Sequence, residues 1–203
     1  MDNPFPAGFF DRRDGDVDTA FYAAPRFVTH LDDTAIAAVG ALYDELGVRG
    51  DVLDLMSSWV SHLTAPPASL TVLGLNADEL AANPMASAAT VQDLNADPVL
   101  PYADGSFDAV LNCVSVDYLT RPVEVYAEVA RVLRPGGVSI CTFSNRCFPT
   151  KAVQGWLATD DEMHCAVVAE YHRLAGGFDA PVAAQRLDGR RSDPLWAVWA
   201  RRG

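Results

Sequence analysis

Along the chain the apolar positions switch repeatedly between a helical period and short unbroken runs. Ile36, Val39, Leu42, Tyr43 and Leu46 recur at three- and four-residue steps and predict one apolar helix face. Asp32 and Asp33 stand ahead of it as acceptors for its free N–H groups, and Gly47 follows as a stop. Val52 to Leu55, Leu70 to Leu75 and Ala89 to Gln92 are apolar runs too short for helices and predict strands. Phe107 to Cys113 is nearly continuous in apolar character, as a strand buried on both faces would be. Between these runs, Asn76-Ala77-Asp78-Glu79-Leu80 has the Asn-x-x-Glu form of a capping-box helix start. Thr120-Arg121-Pro122 opens another helix, with Tyr126, Val129, Val132 and Leu133 facing inward and Pro135-Gly136-Gly137 ending it. Val138 to Phe143 predicts a fifth strand. Thr159-Asp160-Asp161-Glu162 reads as a second capping box, starting a helix that runs toward Gly176-Gly177. Pro181 to Leu187 and Leu195 to Ala200 predict a final strand pair around a turn-rich segment, Asp188 to Pro194.

Alternating strands and helices followed by a terminal strand pair predict an α/β fold. The expected architecture is a doubly wound, mostly parallel sheet with a C-terminal antiparallel strand. Residues 1–31 show no sustained period. They are expected to form a tail followed by a docking segment, Phe21-Tyr22 through Phe27-Val28, with residues 32–203 as one domain.

Composition narrows the partners. The formal net charge is −12 over 203 residues, with 50% hydrophobic and 21% charged residues. Tracking nucleic-acid phosphates needs a basic surface, so RNA and DNA are disfavoured as substrates, as are anionic membranes. No apolar run reaches the roughly 20 residues that cross a bilayer, and the first residues, Met1 to Pro6, lack the basic and apolar regions of a signal peptide. The four cysteines, Cys113, Cys141, Cys147 and Cys165, form no Cys-x-x-Cys pair. They are expected to be reduced thiols in a cytoplasmic protein. His30, His62, His164 and His172 show no ligand spacing with them, so no metal is expected.

In open α/β sheets ligands bind beyond the C-terminal ends of the strands, near the switch in strand order. Three polar residues fall there by position: Asp54 in the first strand, Asn76 after the second and Asp93 after the third. Together with Leu100-Pro101-Tyr102, Ser106 to Leu111 and Ala127 to Gly137, this order resembles class I S-adenosylmethionine (SAM) dependent methyltransferases of the small-molecule, type 11-like group. The resemblance covers about Val52 to Phe143 and implies a Rossmann-like class I methyltransferase fold. In that family the first strand ends in an acid followed by a glycine-rich turn, Asp-x-Gly-x-Gly. Here the turn reads Asp54-Leu55-Met56-Ser57-Ser58, with Met56 and Ser58 at the two glycine positions. Family members usually carry an acid for the ribose hydroxyls where this chain has Asn76, followed by Ala77. Asp93 matches the acid that bonds the adenine amino group, with Leu94 beside the ring. Backbone contacts are implied from Met56, Ser57 and Ser58, and Asn112 completes the implied cofactor set. Tyr22 and Arg26 fall where related enzymes cover the cofactor with an N-terminal segment, and Arg26 would pair with its carboxylate. Asp117, Tyr118, Asn145 and Arg146 are the implied catalytic or acceptor-side residues, with His30 and His62 as candidate bases.

The same residues have structural uses. Asn76 is a helix cap, Asp93 opens a turn, Ser57 and Ser58 bond their own loop, and Asp54 braces it. Competing motifs are missing: Gly-x-Ser-x-Gly, the Gly-x-x-x-x-Gly-Lys phosphate loop, Gly-x-Gly-x-x-Gly after the first strand, and an Asn-Pro-Pro-Tyr loop, replaced by Asn112-Cys113-Val114-Ser115. The expectation is a SAM-dependent methyltransferase acting on a small organic acceptor. The alternative is a methyltransferase-fold protein with lost or altered SAM use: a pseudoenzyme, a ligand-binding scaffold or non-methyl chemistry in the same cleft. The glycine-poor loop is what separates them.

Overall fold

The computed structural model describes residues 4–203; residues 1–3, the start of the predicted tail, lie outside the described residues. Seven strands form one sheet: β1 (Asp51–Leu55), β2 (Ser69–Gly74), β3 (Ala88–Val91), β4 (Phe107–Cys113), β5 (Leu133–Phe143), β6 (Val182–Leu187) and β7 (Leu195–Arg201). Their order is β3-β2-β1-β4-β5-β7-β6. β1 pairs in parallel with both β2 and β4, while β7 runs antiparallel to β5 and β6. The switch in strand order therefore lies between β1 and β4, with Leu53 opposite Thr71 on one side and Val110 on the other.

Alternation along the strands builds two cores. Leu53 and Leu55 of β1 face one layer with Val110 of β4, packed against α4 (Pro122–Val132) through Val125 and Val129 and α6 (Asp161–Ala175) through Val168 and Tyr171. Val52 and Leu111 face the opposite layer, packed against α2 (Asp33–Glu45) through Val39, Leu42 and Tyr43 and α3 (Ala77–Ala81) through Leu80. Period-two strands carrying helices on both faces make the doubly wound sheet that the sequence predicts.

Three boundary expectations are corrected. α4 ends at Val132, and Pro135-Gly136-Gly137 lies inside β5, not at a helix end. Gly136 N–H donates to the Arg202 carbonyl and Arg202 N–H to that of Gly137, so neighbouring backbone ties these residues to the sheet, with Gly136 at φ 79°. Asp160, not Thr159, caps α6 by accepting from Met163 N–H; the Thr159 hydroxyl donates to the Gly155 carbonyl. Asn76 caps α3, but Glu79 does not reach back to close the capping box.

The N-terminal segment is strapped across the carboxyl edge of the sheet. Gln154 N–H donates to Asp11 and Gly155 N–H to Phe9, whose ring lies where a Cβ on Gly155 would stand. Arg12 Nη1 reaches both carboxylate oxygens of Asp18 at 2.8 Å. The fully buried Lys151 donates to the Asp16 carbonyl at 2.7 Å and stands 3.2 Å from both Asp14 and Asp18. The strap carries the short helix α1 (Asp18–Phe21), and its dock carries α5 (Gln154–Leu157). Each is a single turn, too short to show a period in sequence.

Candidate functional site

A cleft of about 390 Å³ opens at the carboxyl ends of β1, β2 and β4, roofed by the strap. That volume lies within the range of small-molecule sites. Its position beside the strand-order switch is where such sheets bind ligands.

The floor is the loop after β1. Met56 takes φ 53°, the left-handed conformation that a glycine would occupy without cost. Its side chain packs against the core, and Asn112 Nδ2 donates to its Sδ at 3.5 Å. The loop then passes over β2, where Ser57 N–H donates to Leu73 O at 2.8 Å. A Cβ on Gly74 would overlap the Ser57 carbonyl oxygen. The close backbone approach that the family obtains from a glycine in this loop is obtained here from a glycine on the strand beneath it.

His62 and Val114 also adopt left-handed angles, φ 53° and 46°. Met56, His62 and Val114 are the only such non-glycine residues among the described residues, and all three line the cleft. A left-handed β-branched residue is a real outlier, and strained angles of this kind collect at functional sites.

Asp54 is buried, and burial raises its pKa to about 6 even though the Ser57 hydroxyl donates to Oδ2 at 2.7 Å. Asn95 and Ala96 N–H groups both bond Oδ1 of Asp93, so this carboxylate opens a turn while also lining the cleft. Leu94 lines it beside them. Asn76 lies at the end of β2, its carbonyl oxygen accepting from Asp78 and Glu79 N–H. Its amide donates to the carbonyls of Tyr22 at 3.0 Å and Ala23 at 3.1 Å in the strap.

Arg26 enters from the strap. Its guanidinium lies 4.8, 5.5 and 5.6 Å from the ring centres of Phe21, Tyr22 and Phe148, within cation–π range. Nη2 donates to the Phe21 carbonyl, while Nη1 is buried with no hydrogen-bond partner. A buried unpaired guanidinium nitrogen lining a cleft suits an anionic ligand group. Half-buried His62 has its imidazole pKa lowered by burial, so it is neutral near pH 7. Its Nδ1 is likewise buried without a partner.

Tyr22, Arg26, Asp54, Met56, Ser57, Ser58, Asn76, Asp93, Leu94, Tyr118 and Arg146 thus meet around one cleft. Asn145 and Ala77 are exposed outside it, and Asn112 sits beneath the floor bonded to Met56 and Ser115. Asp117 also lies off the cleft, correcting its expected placement. It is buried on the 3₁₀ turn Val116–Tyr118, its pKa raised by burial to about 8, with Oδ2 unpartnered. Arg146 is exposed at the rim and paired with Asp193 at 2.7 Å. Asp18, Asn95 and Glu79 line the cleft without being candidates from sequence, and Phe148 joins them from the polar and aromatic loop after β5. Of the first three only Glu79 carried a signal there, and it was read as half of a capping box. Among the described residues no cluster of His, Cys, Asp and Glu is arranged to hold a metal, and no helix is long and apolar enough to cross a membrane.

Sheet order, the lone antiparallel strand and the cleft at the β1 loop together define the class I methyltransferase fold. Residues 46–141 match the family described as a methyltransferase domain. The matched segment, which spans β1 to β4 and most of β5, is similar to the type 11-like group of methyltransferase domains. No curated protein sequence matches the chain significantly. Among solved structures it resembles one from the complex between the Haloferax volcanii Trm112 methyltransferase activator and a proposed methyltransferase. That match has TM-score 0.61 and 16% identity, covering 84% of this chain and 90% of that one. A SAM-dependent methyltransferase from Mesorhizobium loti matches with TM-score 0.57 and 16% identity, over 82% and 98% of the two chains. One from Aquifex aeolicus matches with TM-score 0.58 and 14% identity, over 85% and 94%. At these identities the likeness is one of fold.

Proposed function

We propose that the protein is a SAM-dependent methyltransferase acting on a small organic acceptor. The observation that carries this reading is the cleft itself. Three strained non-glycine residues, a buried acid on β1 and an unpaired buried guanidinium nitrogen converge beside the strand-order switch, where open α/β sheets bind ligands.

The residues fit such a ligand. Arg26 Nη1 supplies the donor that the amino-acid carboxylate needs. Asp93 has both Oδ1 bonds committed to backbone, leaving Oδ2 for an exocyclic amine, with Leu94 as apolar cover. Asp54 and Ser57 place a buried acceptor and hydroxyl beside the loop. Met56 packs in part against the core while lining the cleft, and a volume of about 390 Å³ remains with its side chain in place of the missing glycine.

When bound, SAM supplies an electrophilic methyl group on its sulfonium. The protein's task is then mainly orientation and exclusion of water, which the strap and the aromatic cluster of Phe21, Tyr22 and Phe148 support. An acceptor that must lose a proton meets neutral His62 in the cleft wall. Aromatic residues line the cleft, and the chain carries net charge −12; both favour a compact organic acceptor over nucleic acid.

The test is transfer of isotope-labelled methyl from SAM to a panel of phenols, carboxylic acids, amines and thiols. Label transfer to one class that is lost in Arg26→Ala supports the reading. Tight SAM binding with no transfer to any class would favour non-methyl chemistry in this cleft.

A further inference from the structure

Asn76 occupies the position from which the family's acid reaches the ribose, yet its hydrogen-bonding capacity is already spent. A carboxamide has two donor hydrogens and two acceptor lone pairs. Both lone pairs of Oδ1 are taken by Asp78 and Glu79 N–H, at 3.0 and 3.1 Å, and both Nδ2 hydrogens by the Tyr22 and Ala23 carbonyls. Two strap carbonyls demand donors, and a carboxylate has none to give. An acid here would set negative charge against two carbonyl oxygens.

One helical turn later, Glu79 presents a half-buried carboxylate that lines the cleft. Oε1 accepts from Arg26 N–H at 2.7 Å and Oε2 from the Ser58 hydroxyl at 2.5 Å. Those bonds fix the carboxylate between the strap and the β1 loop. A carboxylate has about four acceptor sites, so one on each oxygen remains open. Two vicinal hydroxyls are the ligand chemistry that two adjacent, fixed, charged acceptors suit.

We propose that Glu79 is the diol-binding residue of the cleft, taking the ribose hydroxyls of the adenosine moiety, and that Asn76 has become a positioning residue that clamps the strap over it. This rests on the reading of the cleft as a SAM site. The two residues divide the work: Glu79 supplies the charged acceptors, and Asn76 supplies the donors that hold the strap.

The experiment compares calorimetric affinities of adenosine and 2′,3′-dideoxyadenosine for the wild-type chain, Glu79→Gln and Asn76→Asp, with thermal midpoints recorded to confirm folding. The wild type is expected to prefer adenosine by about tenfold or more, the loss on removing partners of a charged hydrogen bond. Glu79→Gln should bring the preference down to about twofold or less. Any loosening of the strap lowers both affinities and cancels in their ratio. Asn76→Asp should weaken both ligands alike and leave the preference intact. A Glu79→Gln protein that keeps the wild-type preference, or an Asn76→Asp protein whose preference rises, would overturn the proposal while leaving the SAM reading standing. Absence of binding by adenosine and S-adenosylhomocysteine alike would overturn both.

Discussion

The carbonyl of Ser57 lies where a side chain on Gly74 would begin, so the β1 loop and the end of β2 touch backbone to backbone. Ser57 N–H, bonded to Leu73 O at 2.8 Å, fixes that contact. Gly74→Ala must push the loop away. The expected cost is about 1–3 kcal/mol, as for other overpacked sites. Ligand affinity should fall more than stability, because the displaced loop forms the cleft floor. Chemical denaturation paired with S-adenosylhomocysteine titration checks this; an alanine variant with unchanged affinity would place the floor elsewhere.

Met56 bears a conformational cost that its side-chain packing offsets. Truncation to alanine removes the packing but keeps the left-handed backbone, whereas truncation to glycine removes both packing and strain. Met56→Gly should therefore be more stable than Met56→Ala by about 1 kcal/mol. This reverses the usual order, in which glycine is the worse residue through unfolded-chain entropy. Equilibrium unfolding of the two variants decides it, and alanine proving the more stable would show that φ at this position relaxes.

Asp117 sets a pH dependence of known sign. Burial raises its folded pKa from the ordinary carboxylate range to about 8, so over that window the folded chain holds a proton that the unfolded chain has lost. Stability conferred by the protonated carboxyl is present at low pH and drains away as pH rises toward 8. Asp117→Asn removes this slope. Relative to wild type the variant should gain stability steadily with pH, by roughly 1.4 kcal/mol per pH unit and at most about 5 kcal/mol at pH 8. Denaturation midpoints across the window measure it. A difference that stays flat with pH would show that the carboxyl finds a partner on ionising.

All seven strands were legible because short apolar runs between turn residues have few other uses. The site was legible only in outline. Asp54, Asn76 and Asp93 were placed by their position after strands, and they do meet at one cleft. What the chain did not disclose was direction. Glu79 has the spacing of a capping residue, and only the strap's arrival at Arg26 N–H turns it toward the cleft. Asp117 follows β4 like a site residue, but a 3₁₀ turn points it into the core. Met56 stands in a glycine position, yet its left-handed backbone and partial packing on the core leave a cleft beside it. Lys151 follows β5 among polar and aromatic residues of the kind that line a pocket, but it is buried where the strap's acids converge. Each of these turns on a contact between segments distant in sequence, which no local period encodes.

The central claim is that a cleft floored by a glycine-poor loop still holds SAM. Calorimetric titration of the wild-type chain and of Asp54→Ala with S-adenosylhomocysteine tests it most directly. The wild type should give a saturable one-site isotherm that weakens as pH falls through about 6, where Asp54 takes up a proton. The Asp54→Ala variant should remain folded and lose at least about a hundredfold in affinity, the scale of a buried charged contact. A wild-type chain with no heat of binding at millimolar ligand, or an Asp54→Ala variant that binds as well as wild type, would contradict the account.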